Sequence, residues 1–382
     1  MSTIKVTNVN PPTAGQAVNI NGLAYPTAGP LSNRNKIING DMRIDQRNGG
    51  SSVTITTTAG GQYTLDRWFG QASQSSKFSV QRNAGSVTPP TGFANYLGVT
   101  SSSAYSVTSG DYFSIKQSIE GFNGADLAFG TANASTVTIS FRVYSSLTGT
   151  FGAVLQNGTY NRSYPFTYTI SSANTWTTVS VTIPGDTSGT WETGNSGGLV
   201  VIFGLGVGST YSGTAGSWSG NNYISATGAT SVVGTNGATF YITGVQLEAG
   251  SVATPFEHRP YGTELALCQR YYSQSFSASS GFPSAPDYNG AMGWGQSVEA
   301  AAVQVSVRFP VEMRANPTIT IYSPTSLTAG TFRVWQAGVD RNGTAGHISS
   351  SGFARIDKSG AADLSPTAVQ NSAIQWIATV EL

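Results

Sequence analysis

Thr136-Val137-Thr138-Ile139-Ser140-Phe141-Arg142-Val143-Tyr144 places an apolar side chain on every second residue. Successive side chains of an extended strand point to opposite faces, so a period of two marks a half-buried strand. Thr177–Ile183 repeats the pattern. Shorter runs of β-branched and aromatic residues predict strands at Ser52–Thr58, Thr64–Ala72, Lys77–Arg82, Phe93–Thr100, Tyr112–Ile119, Phe151–Gln156, Tyr164–Ile170, Leu199–Gly206 and Thr239–Glu248. So many short strands at this spacing predict a two-sheet sandwich over residues 36–257.

The regions on either side read differently. Residues 1–35 form an arm in which Ile4 and Val6, then Val18 and Ile20, alternate, while Pro11-Pro12, Gly15, Gly22, Pro26 and Pro30 interrupt everything else. The arm is either an unstructured tail or an extended segment that adds short strands to a partner's edge. Residues 258–382 open with a predicted helix. Gly262-Thr263 supplies a turn and N-cap, and Glu264 suits the positive end of the helix dipole. Leu265, Cys268 and Tyr272 share one face of that helix, and Leu267 and Tyr271 another. A helix so short must pack on something. Strands are expected at Met292–Gly295, Val303–Phe309, Thr318–Tyr322, Phe332–Ala337 and Ser372–Leu382. The fold class is therefore all-β: an N-terminal arm, a sandwich, and a β-rich head opened by a short helix.

The chain has 382 residues, enough for two or three domains with real cores. Charged residues make up 10% of it, against roughly 25% in ordinary soluble proteins. With a net charge of +1 there is no basic excess to neutralise phosphates, so no nucleic-acid partner is expected. Solubility rests on neutral polar groups, which suit sugar contacts and assemblies because little charge has to be desolvated. Cys268 is the single cysteine, which excludes an internal disulfide framework and fits synthesis in a reducing cytoplasm. Met1–Asn8 lacks a secretory signal pattern, and no apolar run is long enough to span a membrane, so no membrane insertion is expected.

Two segments about two hundred residues apart bracket the sandwich. The first is Asn33-Arg34-Asn35-Lys36-Ile37-Ile38-Asn39-Gly40-Asp41-Met42-Arg43-Ile44-Asp45-Gln46-Arg47, answered by Asp66-Arg67-Trp68. The second runs from Gly244-Val245-Gln246-Leu247-Glu248-Ala249-Gly250 through Pro255-Phe256-Glu257-His258-Arg259-Pro260 to Cys268-Gln269-Arg270-Tyr271-Tyr272. Together they resemble the fibre and receptor-binding proteins of tailed bacteriophages. In those proteins an Asn-rich opening and a Gln-Leu-Glu-x-Gly closing strand delimit a jelly roll similar to a carbohydrate-binding module. The strand Tyr112–Phe122 is likewise similar to an inner strand of such modules.

The resemblance implies a homotrimeric virion fibre, a tail fibre before a capsid fibre, made in the host cytoplasm. It implies docking to other virion proteins through residues 1–35 (Ile4, Val6, Val18 and Ile20) and binding to host surface polysaccharide. A three-fold interface would use Leu265, Cys268, Tyr271 and Tyr272. The alternatives are a purely structural fibre, decoration or adaptor protein, and a polysaccharide depolymerase.

Catalysis finds little support in the residues. His258 and His347 are the only histidines and lie far apart in sequence, and no nucleophile elbow or phosphate loop is present. A glycosidase needs two carboxylates flanking one bond, and nothing in the sequence pairs two of the acids. The chain is thus expected to be non-enzymatic and to need no cofactor. Asn39-Gly40-Asp41-Met42-Arg43 resembles the Asn-Gly-Asp-Phe-Glu opening of one carbohydrate-binding group, in which the Glu helps hold calcium. Here Arg43 stands at that position, and a cation there repels Ca²⁺, so no metal is expected. Asp66 and Arg67 read as a local ion pair, and Trp68 as core. Aromatic rings in loops are the ligand candidates, because flat apolar rings with polar handles stack on sugar faces. They are Trp191, Tyr211, Trp218 and Tyr223 in the sandwich, and Tyr288 and Trp294 in the head. Of these, Tyr211, Trp218 and Tyr223 lie in a long polar segment, Gly208–Gly237.

Overall fold

The computed structural model describes residues 19–20, 23–24, 32–56, 61–278, 281–283, 286, 293–299, 302–335, 337–359 and 371–382; at 19–20, 23–24 and 293–299 (Gly295 apart) it describes the backbone only. Ile4, Val6, Val18 and Tyr288 lie outside these residues. Ile20 pairs with Leu23 in a small antiparallel hairpin. The described chain separates into two compact units. Unit 1 draws on residues 1–43, 52–63 and 68–259, and unit 2 on residues 44–51, 64–67 and 260–382.

Unit 1 is a jelly-roll sandwich of two six-stranded sheets. The first sheet runs in the order Ser163–Ile170, Gly149–Asn157, Gly197–Val207, Tyr112–Glu120, Phe69–Ala72, Gln62–Tyr63. The second runs Thr177–Ile183, Val137–Ser145, Thr239–Ala249, Leu97–Ser101, Phe78–Arg82, Val53–Thr54. Every pairing within both sheets is antiparallel. The predicted strands are present, with three clearly shortened: Ser52–Thr58 to Val53–Thr54, Thr64–Ala72 to Phe69–Ala72, and Phe93–Thr100 to Leu97–Ser101. In the second, Thr64–Arg67 belong to unit 2. Between the sheets, Phe141 and Phe203 meet edge to face at 5.1 Å, and Phe203 also reaches Phe240 and Trp68. Trp68 is fully buried and donates its indole N–H to the Asn39 carbonyl at 3.0 Å.

The two motifs that bracket the sandwich meet in one hydrogen-bonded seam. Lys36 N donates to the Leu247 carbonyl at 2.8 Å, and Val245 N to the Gly40 carbonyl at 2.9 Å. The Asn35 side chain works both ways: its Oδ1 accepts from Ile37 N and Leu247 N, and its Nδ2 donates to the Val245 carbonyl. Buried Glu248 accepts from Thr254 N at 2.9 Å and Thr254 Oγ1 at 2.7 Å, with Arg34 beside it at 3.4 Å. Buried polar groups are tolerable only when paired in this way. Gly40 is required because a Cβ there would collide with the Val245 carbonyl. Arg43 forms an ion pair with Asp41 at 2.8 Å.

Unit 2 is also antiparallel. Asn371–Thr379, Gly293–Glu299, Ala302–Arg308, Gly352–Lys358, Val339–Ser349 and Thr331–Val334 follow one another, and the last returns to pair with the first, closing a ring of six strands. Tyr272–Gln274 and Thr318–Tyr322 pair with Asn371–Thr379 as well. The core gathers Val303, Val307, Phe332, Phe353, Ile374 and Trp376. The helix spans Tyr261–Gln269 and starts one turn earlier than expected. Its N-cap is Pro260, which makes no side-chain capping bond, so Thr263 lies inside the helix. It buries Glu264 and Cys268, while Tyr272 has already entered a strand.

Asp66 and Arg67 find their partners far away in sequence and inside unit 2. Arg47 stacks on the Tyr272 ring at 3.8 Å, and Arg67 on the Tyr271 ring at 3.6 Å. Glu381 accepts from both guanidiniums, from Arg47 at 2.5 Å. Arg67 adopts the left-handed backbone region at φ 69°, which a non-glycine residue enters only when its surroundings hold it there. Asp66 accepts from Gln46 N and Gln46 Nε2, both at 2.6 Å. Burial pushes the Asp66 carboxyl up to about 6, against the opposing pull of Arg47 and of the Gln46 hydrogen bonds.

Candidate functional site

The first sheet carries a groove on its outer face. Along Tyr112–Glu120, Phe113, Ile115 and Gln117 point into the core, so Ser114 and Lys116 point out. Register places Phe69 and Ile202 beside Lys116, and Gln71 beside Ser114. One strand further on, Val154 lies opposite Ile202, and Gln156 opposite Val200. Over one end of this face the segment after residue 207 packs Ile224 against Val154, Val200 and Ile202, with Tyr112 and Tyr211 alongside. What remains open is a cleft of about 130 Å³ lined by Gln71, Lys116, Gln156, Tyr160, Ile202, Asn222 and Ile224.

Rings and amides frame this cleft. Tyr160, 40% exposed, sits at the tip of the hairpin between Gly149–Asn157 and Ser163–Ile170 with φ at 60°. Asn157 holds that tip: its Oδ1 accepts from Asn161 N and Arg162 N at 3.0 Å, and its Nδ2 donates to Thr159 and Asn161. Lys116 Nζ lies 5.2 Å from the centres of both the Tyr160 and Phe69 rings and 3.4 Å from the Tyr160 hydroxyl. Tyr63 meets Phe69 edge to face at 4.9 Å on the same side. Gln156 Nε2 donates to Asn222 Oδ1 at 2.7 Å, while the buried Gln156 Oε1 makes no hydrogen bond.

The candidates named from sequence fall elsewhere. Trp191 and Trp218 come together, but as packing. Their rings cross at 5.5 Å and share Phe129, with Tyr164 against Trp218. Their indole N–H groups are taken by the Ser188 and Pro184 carbonyls. Tyr211 packs on Tyr112, and Tyr223 lies over Gly213, its hydroxyl bonded to Asn221 at 3.0 Å. These two help fasten the segment that walls the groove, which is therefore ordered and not a bare polar loop. Trp294 occupies a strand opposite Ala373. Of the four residues assigned to a three-fold interface, Cys268, Tyr271 and Tyr272 are buried within a single chain, and only Leu265 keeps exposed surface.

The groove residues escaped the sequence reading because five separate chain segments supply them. The one available signal was alternation: once Phe113, Ile115 and Gln117 face inward, Lys116 must face outward. Among the described residues, no group of three or more His, Cys, Asp or Glu side chains is placed to hold a metal ion.

No protein-family model and no curated protein matches this chain. Among solved structures, 39 chains match. One is the enzymatically active domain of tailspike protein 4 of bacteriophage CBA120: 11% identity, 56% of this chain and 21% of that chain covered, TM-score 0.31. Another is a putative sugar binding protein from Bacteroides thetaiotaomicron, 14% identical over 56% of this chain and all of that one, TM-score 0.33. A third is the family 11 carbohydrate-binding module of Clostridium thermocellum in complex with a β-1,3-1,4-mixed-linked tetrasaccharide. It is 13% identical over 54% of this chain and 97% of that one, TM-score 0.26. The chain spans about a fifth of the length of that tailspike domain.

Proposed function

We propose that this protein is a non-catalytic virion fibre protein that binds host surface glycan through the groove on the first sheet of unit 1. The observation that carries the reading is the juxtaposition of an exposed Tyr160 ring, the Phe69 ring, and the amides of Gln71, Gln156 and Asn222 around one cleft. Rings supply apolar faces for a pyranose, and amides supply paired donors and acceptors for its hydroxyls. The virion setting rests on the two bracketing motifs. It includes attachment through residues 1–35, assembly as a homotrimer, a place on the tail before the capsid, and synthesis in the host cytoplasm. Three copies would turn a weak contact into useful avidity.

The test is retention of the purified protein on host cells, and separately on particles lacking it. Tyr160→Ala is expected to lower cell binding at least fivefold, the loss typical of a contact residue that matters. Trp218→Ala should leave cell binding intact. Binding to particles with none to cells would replace glycan binding with a purely structural role. Release of reducing ends from host polysaccharide would make the protein a depolymerase.

A further inference from the structure

Resting on the glycan reading, we infer that the groove selects a saccharide carrying a carboxylate, with Lys116 as the residue that reads it. Among the described residues Lys116 is the one charged side chain lining the cleft, and it is only 9% exposed. No carboxylate among the described residues lies within ion-pair distance of it. Its surroundings are two ring faces and the Tyr160 hydroxyl. Rings offset part of the cost of withdrawing an ammonium from water, but they do not accept its N–H bonds. An ammonium has three donors, and the single contact at 3.4 Å leaves the others to be met from the cleft. Burying a cation beside rings without an anion is costly in a protein that only folds. The arrangement becomes favourable once a ligand brings the anion.

A second group points the same way. Gln156 Oε1 is buried without a hydrogen bond in the same cleft, while its amide nitrogen is already bonded to Asn222. An empty acceptor wants a donor, and a sugar hydroxyl is one. An acceptor for hydroxyl and a donor for carboxylate in one small cleft describe a uronic or sialic acid unit. A phosphate fits less well, since no arginine or fan of backbone N–H groups accompanies the single ammonium.

The experiment measures affinity electrophoresis of the full chain in polygalacturonate, alginate, hyaluronan and polysialic acid. Each polymer is paired with its carboxyl-reduced neutral form. Neutral glucan, galactan and mannan, and a phosphodiester-linked teichoic acid, complete the set. At least one acidic polymer should retard the protein roughly tenfold or more strongly than its reduced form, the worth of one charge-assisted hydrogen bond. Lys116→Met should erase that preference, and Lys116→Arg should keep part of it. Equal retardation by acidic and reduced forms, or preference for the neutral or phosphodiester polymers, overturns the carboxylate inference and leaves glycan binding standing. No retardation by any polymer, together with no binding to host cells, overturns both. If Lys116→Met does not fold by circular dichroism, the comparison of acidic and reduced polymers on the unaltered protein decides alone.

Discussion

Replacing Glu381 by Ala removes the carboxylate on which Arg47 and Arg67 converge. The Arg67 side chain is 1% exposed and that of Glu381 8%, so solvent cannot take over the lost role. Breaking a pair this deeply buried costs about 3–5 kcal/mol, because a guanidinium stays behind without the partner that justified burying it. Arg47 is more exposed, at 16%, and its share is small. For a unit of this size each kcal/mol moves the melting temperature by about 3 °C, so the unit 2 transition should fall by roughly 9–15 °C. Scanning calorimetry would resolve it, with urea unfolding as the cross-check. The double variant Glu381→Leu with Arg67→Met should recover most of the loss, since apolar replacement of a buried pair is close to neutral. A loss below about 1 kcal/mol for Glu381→Ala would refute the reasoning and reduce the cluster to an ordinary surface pair.

Other outcomes follow from the same geometry. The Asp66 carboxyl is raised in the folded state, to about 6 from 3.8, so the folded state holds this proton more tightly. Its contribution to stability is full below about pH 4 and is lost as pH rises through 6. That amounts to roughly 3 kcal/mol by pH 7 and should vanish from the pH profile of urea unfolding in Asp66→Asn. Gly40→Ala forces a methyl onto the Val245 carbonyl and should destabilise unit 1 by about 1–3 kcal/mol in urea unfolding. Trp218→Ala removes a ring shared by three aromatic neighbours and should lower the unit 1 melting temperature without weakening glycan retention. Tyr160→Ala should do the reverse, because its ring is 40% exposed beside Lys116.

Alternation made the sandwich legible. Val137–Ser145 and Thr177–Ile183 pair side by side much as their period implies. The same rule failed in unit 2 for Val339–Ser349 and Gly352–Lys358. Neither was among the expected strands; the first contains Asp340-Arg341-Asn342-Gly343, which breaks the apolar alternation, yet it pairs with two neighbours in a closed ring. There, closure of the sheet overrides local preference. The bracketing motifs were visible as words but not as contacts. Nothing local in Asp66-Arg67 announces that Gln46 and Glu381 are its partners, since one lies 20 residues away and the other 314. Loop aromatics drew attention as ligand candidates because exposure cannot be read from spacing. Trp191 and Trp218 turned out to pack on each other, while the cleft formed where a lysine and two glutamines had seemed unremarkable.

The separation of 314 residues between Arg67 and Glu381 also sets an order of events during synthesis. A ribosome adding about 5–20 residues per second needs roughly 16–63 s to travel from one to the other. Throughout that interval both arginines have been incorporated and the carboxylate of Glu381 does not yet exist. Unit 1 needs nothing beyond residue 259 and has its whole complement of strands well before then. Unit 2 is thus obliged to finish late, and a nascent chain halted short of Glu381 lacks the carboxylate on which Arg47 and Arg67 converge.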